Sequence, residues 1–286
     1  MNGIIIKGIG GFYYVKAADG CIYECKARGR FRKDGVTPII GDNVEIEISG
    51  KKGSISRILK RKNALVRPAV ANIDTLVIIA AAASPEPNMC LLDKLTVAAL
   101  SNGIEPVICV NKTDLADGTY LTEIYKSAGF KTFMMSAENG DGVDALMPVL
   151  KDKVTAFAGL SGVGKSTLLN RITGEDLKTG NVSEKIQRGR HTTRHVELFE
   201  LQDGGFVLDT PGFSSFELYG IKADELWEYF PEMADTAGEC RFRGCSHISE
   251  PDCAVKAKLE NGKIAESRYE SYVELYNILK EIKDWE

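Results

Sequence analysis

The amino-acid sequence predicts an α/β protein in three parts: a small basic β-barrel, a three-layer α/β domain, and a C-terminal helical segment built around clustered cysteines. Three patterns predict it. Short alternating strands separated by turns fill residues 1–67; Val/Ile-rich runs alternate with helical patterns over 68–216; helical pieces and cysteines share 217–286. A chain of 286 residues, 44% of them apolar, has material for two or three such cores. The longest apolar run, Leu76 to Ala83, is too short to cross a bilayer, and no basic leader with an apolar core opens the chain. A cytoplasmic protein with no membrane partner is expected. Its seven irregularly spaced cysteines then read as thiols or metal ligands rather than disulfides. No segment reads as a dedicated dimer surface, so the expectation is a monomer.

The first part is justified strand by strand. In "GFYYVKAADGCIYECKARG" two alternating apolar runs flank Asp19-Gly20, a hairpin signal, and "IIGDNVEIEIS" and "GSISRILKR" continue the strand pattern. Four or five such strands suit an OB-type barrel, with an SH3-like barrel as the alternative. Residues 1–67 hold 14 Lys and Arg against 6 Asp and Glu, a net +8 in a chain of net −4. That asymmetry points to a polyanionic partner, against the plainer reading of a solvated strand surface. Arg28, Arg30, Arg32, Lys33, Lys51, Lys52, Lys60, Arg61 and Lys62 lie in or near loops, where they can meet phosphates without sequence preference.

In the second part "IDTLVIIAAA", "EPVICV", "KTFMMSA" and "VTAFAG" read as parallel strands buried on both faces, separated by the helical "MCLLDKLTVAALSNG" and "YLTEIYKSAG". "GLSGVGKST" follows "VTAFAG" and opens the helix "STLLNRITG", which satisfies GxxxxGK[ST] in the required strand–loop–helix context. Gly159, Leu160, Ser161, Gly162, Val163 and Gly164 then curl backbone N–H groups around a β-phosphate. Lys165 supplies a cation to the β/γ oxygens, Ser166 is a Mg²⁺ ligand, and Thr167 continues the helix N-terminus.

"NKTD", Asn111 to Asp114, is a weaker signal alone, since a turn has the same composition. It gains weight from its place at the end of "PVICV", because open parallel sheets bind ligands at the carboxyl ends of strands. There Asp114 accepts the N1–H and N2–H of guanine, Asn111 supports the loop, Lys112 lies along the base, and Thr113 completes the turn. Adenine lacks the donor pair, so the site selects GTP and GDP; an ATP-dependent protein in which "NKTD" is only a turn is the competing reading. "SAEN" brings Ser136, Ala137 and Glu138 to the end of the next strand. "DTPG" closes "GFVLDT" with Asp209 for Mg²⁺ and Gly212 for the γ-phosphate, and "GRHTTRH" offers Thr192 or Thr193 to the metal shell. The base-reading elements precede the phosphate loop, the reverse of the ordinary order, so the domain reads as a circularly permuted P-loop GTPase.

"CRFRGCSHISEPDC" supplies Cys240, Cys245, His247 and Cys253, a closed tetrahedral set for one structural Zn²⁺. Arg241 and Arg243 sit within it as candidate nucleic-acid contacts. Cys21, Cys25, Cys90 and Cys109 read as packing residues. Tyr269, Tyr272, Val273, Tyr276 and Leu279 recur at helical spacing and read as a packing face.

Taken together, the basic barrel, "NKTD", "GLSGVGKST", "GRHTT", "DTPG" and the cysteine cluster resemble the RsgA/YjeQ family of circularly permuted GTPases over nearly the whole chain. The resemblance implies an OB-fold at the N-terminus, the small ribosomal subunit and its rRNA as partners, a role in late subunit maturation, and hydrolysis stimulated by the subunit. Phe213 follows "DTPG" where Ras-like proteins place a water-orienting glutamine, so slow intrinsic turnover is expected. His191 is the candidate for water positioning. Gly162 stands where potassium-activated GTPases carry asparagine, which gives no ground for potassium dependence.

Overall fold

The computed structural model describes residues 1–29, 31, 35–50, 52–174, 196–209, 218 and 220–281. These residues fall into two compact units, one drawn from 1–75, 147–157 and 166–213, the other from 76–146, 158–165 and 214–286.

The first unit contains the barrel. Strands β1 (Asn2–Ile9), β2 (Phe12–Ala17), β3 (Ile22–Ala27), β4 (Asn43–Ser49) and β5 (Lys52–Ile58) pair in the order β1-β2-β3-β5-β4, and β4 returns to β1 through Asn2↔Glu45 and Ile4↔Asn43. All pairings are antiparallel except β3 with β5, which is parallel. Closure in this order identifies an OB-type barrel and disposes of the SH3-like alternative. The hairpin expected at Asp19-Gly20 is present: Ala17 N–H donates to Cys21 O at 2.9 Å, and Gly20 takes a φ of +82°. Alternation buries Ile5, Val15, Cys25, Val44, Ile46 and Ile55 as the barrel core. Cys25 thus packs as expected, whereas Cys21 is exposed at the turn and packs against nothing in that core.

Beyond the barrel the same unit carries β6 (Ala64–Leu65) and β7 (Val70–Ala71), β11 (Val154–Ala158, less its last residue), β12 (Glu197–Glu200) and β13 (Phe206–Asp209). β11 and β13 are parallel. β12 runs antiparallel to β13 and also to β1, through Lys7↔Glu197. The reason is local. Leu201 to Gly205 form a tight turn with Gly204 and Gly205 at positive φ, and so short a connection joins antiparallel strands only. Lys7–Glu197 and Lys16–Glu200 ion pairs at 2.6 and 2.7 Å tie barrel strands β1 and β2 to β12.

The second unit contains β8 (Thr75–Ala81, less its first residue), β9 (Glu105–Asn111) and β10 (Lys131–Met134) in the order β10-β9-β8, with β9 and β10 parallel. β8 is buried along its whole length, which is why its sequence is a continuous apolar run. Helix α1 (Met89–Ser101) starts at Asn88, whose Oδ1 accepts from Leu91 N–H at 2.8 Å; α2 (Thr119–Ser127) follows β9. The short α3 (Met147–Leu150) and α4 (Lys165–Thr173) flank β11 in sequence. The C-terminal region is helical as expected: a 3-10 turn (Ala223–Tyr229), α5 (Pro231–Ala237), α6 (Ala254–Glu260) and α7 (Glu266–Glu281). Their shared core holds Leu226, Phe230, Met233, Val255, Tyr272 and Leu279, so the tyrosine-rich face of α7 does pack inward.

Candidate nucleotide site and metal centre

The base-reading and phosphate-binding motifs meet in the second unit through one side chain. Asn111, the last residue of β9 and 2% exposed, donates from Nδ2 to the Val163 carbonyl at 2.8 Å and accepts at Oδ1 from the Ala137 N–H at 2.8 Å. One amide therefore joins "NKTD", the phosphate loop and "SAEN". Asn is required, because both a donor and an acceptor are used at once in a dry setting. Around it, Thr113 N–H donates to Met135 O at 3.2 Å and Ser136 N–H to Asp141 O at 2.9 Å. Lys112 takes φ of +64° and donates from Nζ to Ser84 O at 2.6 Å. Asp114 and Glu138 are exposed, whereas Ser136 and Ala137 are buried.

The phosphate loop has the backbone its glycines allow. Gly164 sits at φ +96°, and a Cβ there would stand 2.2 Å from Asn111 Nδ2; at Gly159, φ +140°, it would stand 2.3 Å from Ile79 O. Leu160 is half-buried, Ser161 and Gly162 are exposed, and Val163 is buried. Lys165 Nζ lies back on its own loop, donating to Gly159 O at 2.9 Å and Leu160 O at 2.6 Å. Burial lowers its pKa, and an anion beside this ammonium would oppose that shift by favouring the charged form. Ser166 is exposed and Thr167 half-buried in the first turn of α4. Asp209 ends β13. His191, Thr192, Thr193, Gly212 and Phe213 lie outside the described residues, as do Arg30, Arg32, Lys33 and Lys51.

Cys240, Cys245, His247 and Cys253 converge, their donor atoms all within 4.8 Å of one another. Cys240 Sγ is 3.8 Å from Cys253 Sγ, and His247 Nδ1 is 3.5 and 3.4 Å from those two sulfurs. Tetrahedral zinc, with bonds of about 2.3 Å to sulfur and about 2.0 Å to nitrogen, separates two sulfurs by ~3.8 Å and a sulfur from a nitrogen by ~3.5 Å. The four residues fit one zinc ion, with Nδ1 as the histidine donor. Its supports were not read from the sequence: Tyr269 and Tyr272 hydroxyls donate to the carbonyls of His247 and Ser246 at 2.7 and 2.8 Å, and the imidazole stands edge-on to Trp227.

The basic surface of the barrel is smaller than its composition implied. Arg28 pairs with Glu47, Lys62 with Asp74, and Arg61 grips the fully buried Asp42 bidentately at 2.6 and 2.8 Å, which raises the arginine's pKa. Arg61 is therefore a structural residue. Lys52 and Lys60 are exposed and take part in no ion pair among the described residues. A groove of about 770 Å³ in the same unit, lined in part by Lys16, Lys60, Lys62, Asp74, Asp152 and Glu200, opens at Val154 and Phe206, the first residues of β11 and β13. Nucleotide loops leave such strands from the other end.

Fold and site together define a circularly permuted P-loop GTPase carrying an OB-type barrel and a C-terminal Cys₃His metal centre. The RsgA GTPase profile matches residues 58–219 and the RsgA N-terminal domain profile residues 2–55; the chain belongs to the RsgA GTPase family. The chain is 50% identical to the small ribosomal subunit biogenesis GTPase RsgA of Ruminiclostridium cellulolyticum, covering 99% of this chain and 95% of that one. It is 48% identical to the RsgA of Caldanaerobacter subterraneus subsp. tengcongensis, over 100% and 97% of the two chains. Among solved structures it resembles YloQ, described as a circularly permuted GTPase, with a TM-score of 0.84, 38% identity and 99% and 96% coverage. YjeQ from Thermotoga maritima gives a TM-score of 0.84 at 36% identity, with 99% of each chain covered. GTP, GDP and Mg²⁺ are accordingly the ligands of the GTPase site. No helix among the described residues is long and apolar enough to cross a membrane.

Proposed function

We propose that this GTPase binds the small ribosomal subunit through its rRNA, assists late maturation of the subunit, and hydrolyses GTP faster when bound to it. The observation that supports the nucleotide site in this reading is the Asn111 bridge, a pair of hydrogen bonds that links "NKTD" to a loop 52 positions further along the chain. The names of the relatives support the small subunit as partner. Residues 1–67 act as the RNA-binding barrel, 68–216 as the permuted GTPase domain and 217–286 as the zinc-binding domain, in a cytoplasmic monomer.

In this reading Asp114 accepts the N1–H and N2–H of guanine while Lys112 flanks the base and Ser136, Ala137 and Glu138 close its rim. Asp114 is exposed, so its power to reject adenine arises only as a base covers it and removes its water. The loop 159–164 wraps the phosphates, and Lys165 turns from its own carbonyls to their oxygens. Ser166, Asp209 and one of Thr192 or Thr193 hold Mg²⁺, which when bound neutralises charge on the β and γ oxygens. Gly212 senses the γ-phosphate through its N–H, and His191 orients the attacking water that Phe213 cannot. Steady-state phosphate release with and without purified small subunits tests the proposal. Acceleration of at least tenfold is expected; equal rates contradict stimulation by the subunit.

A further inference from the structure

A zinc-bound histidine is ordinarily aimed by its second ring nitrogen, which donates to a carboxylate, a carbonyl or a water. No protein group gives His247 that support. With Nδ1 turned to the cysteine sulfurs, its Nε2 is buried and meets no hydrogen-bond partner among the described residues, and the whole residue is 1% exposed. The ring is therefore aimed through its backbone. That backbone is strained: His247 takes φ of +60°, a conformation that a residue with a side chain holds only where its surroundings impose it. One carboxylate imposes it. Glu250, half-buried, accepts the Ser246 N–H at Oε1 at 2.8 Å, and at Oε2 both the Ser246 hydroxyl at 2.9 Å and the Ile248 N–H at 3.3 Å. The N–H groups of the residues before and after His247 thus converge on one side chain. The carbonyls of Ser246 and His247 are taken by the Tyr272 and Tyr269 hydroxyls, so the turn is gripped on its donors and its acceptors alike.

We infer that Glu250 is a positioning residue of the metal centre: by clamping the backbone on either side of His247 it presents Nδ1 to zinc, in the role that a hydrogen bond to the ring ordinarily plays. Glu250 is not itself a ligand, since the converging donor set is Cys240, Cys245, His247 and Cys253 alone among the described residues. Its chemistry suits the clamp. Three donors face its two oxygens, and only a carboxylate accepts at both; a glutamine in its place would turn an NH₂ group toward an N–H or a hydroxyl. Ligand spacing does not report such a residue, because Glu250 lies between His247 and Cys253 in a stretch that reads as a polar loop. A turn already held before the metal arrives loses little freedom on binding, so the clamp is worth zinc affinity.

The test uses the full chain. Zinc affinity is measured by competition with a chromophoric chelator at fixed pH, and the ligand set is read from the ligand-field absorption of the cobalt-substituted protein. Glu250→Ala is expected to lose zinc affinity by about ten- to a hundredfold, the range for residues that orient metal ligands, with the cobalt bands moving away from those of a set of three sulfurs and one nitrogen. Glu250→Gln keeps the size of the side chain and loses an acceptor, so a loss of about tenfold with the same movement of the bands is expected. It decides the matter if the alanine variant does not fold. Arg241→Ala breaks an exposed pair with Asp252, beside Cys253, and leaves the turn untouched; it should bind zinc as the wild type does. Wild-type zinc affinity in either Glu250 variant overturns the proposal. So does a weakened affinity with cobalt bands identical to those of the wild type, which would assign Glu250 a part through its charge alone.

Discussion

Asn111 links three motifs of the candidate site, since its amide satisfies the Val163 carbonyl and the Ala137 N–H at once. Replacing it with Ala leaves two buried polar groups unpaired, at a cost of roughly 1–3 kcal/mol for each. Asn111→Ala is therefore expected to lose guanine nucleotide affinity by at least tenfold in equilibrium titrations, while its far-ultraviolet circular dichroism stays that of the wild type. Gly164→Ala should give the same loss for a steric reason, because its Cβ would collide with Asn111 Nδ2. Sequence reasoning assigned Asn111 a supporting role but did not show what it supports. The pairing joins residues 52 positions apart, and no local pattern reports that.

Arg268 is the residue that reasoning missed. It is fully buried in the second unit, donating to Glu232 at 2.7 and 3.2 Å and to Asp93 at 2.6 Å, with its guanidinium over Phe230, Phe130 and Tyr125. Burial opposes its charge, yet the two carboxylates outweigh that and hold its pKa above the ordinary arginine value. Tyr125 adds a hydroxyl bond to Asp93 at 2.7 Å. Arg268→Met leaves both carboxylates buried without a cation and is expected to cost about 3–5 kcal/mol in urea unfolding. Arg241→Ala breaks an exposed pair and should cost less than about 1 kcal/mol. A stability loss for Arg268→Met no larger than that for Arg241→Ala would contradict this account.

At the scale of elements, strand and helix existence was legible because burial imprints its period. β8 is a continuous apolar run, and the barrel strands alternate. The direction of β12 was not, since period says nothing of polarity; the clue was "DGG" at Asp203 to Gly205, a turn too short for a parallel return. The metal centre is an element in the same sense. Four ligands were readable from spacing, whereas the two tyrosine hydroxyls that hold its loop come from α7, where helical periodicity looked like packing alone. Chelation is expected to release about one zinc per chain and to abolish the near-ultraviolet signal of Trp227 and the α7 tyrosines. The barrel core shares no residue with the C-terminal core, so β-sheet signal from the barrel should survive.

For the whole molecule, motif order told most. "NKTD" before "GLSGVGKST" predicts a permuted domain only if the two motifs come together in space, and the contact between Asn111 and Val163 is that meeting. The charge reading travelled less well: +8 over residues 1–67 overstated the free basic surface, because Arg28, Arg61 and Lys62 face carboxylates that composition cannot place.

In the proposed nucleotide site one pocket reads a guanine at Asp114 and its phosphates at Lys165. Competition titrations of the wild type and Asp114→Asn against GDP, ADP and xanthosine diphosphate put this claim to the test. Xanthine carries an oxygen where guanine has its amino group, so Asp114→Asn should lose GDP at least a hundredfold and gain the xanthine nucleotide, with ADP bound weakly by both proteins. Equal GDP affinity in the two proteins, or a wild type that prefers ADP, would contradict the claim.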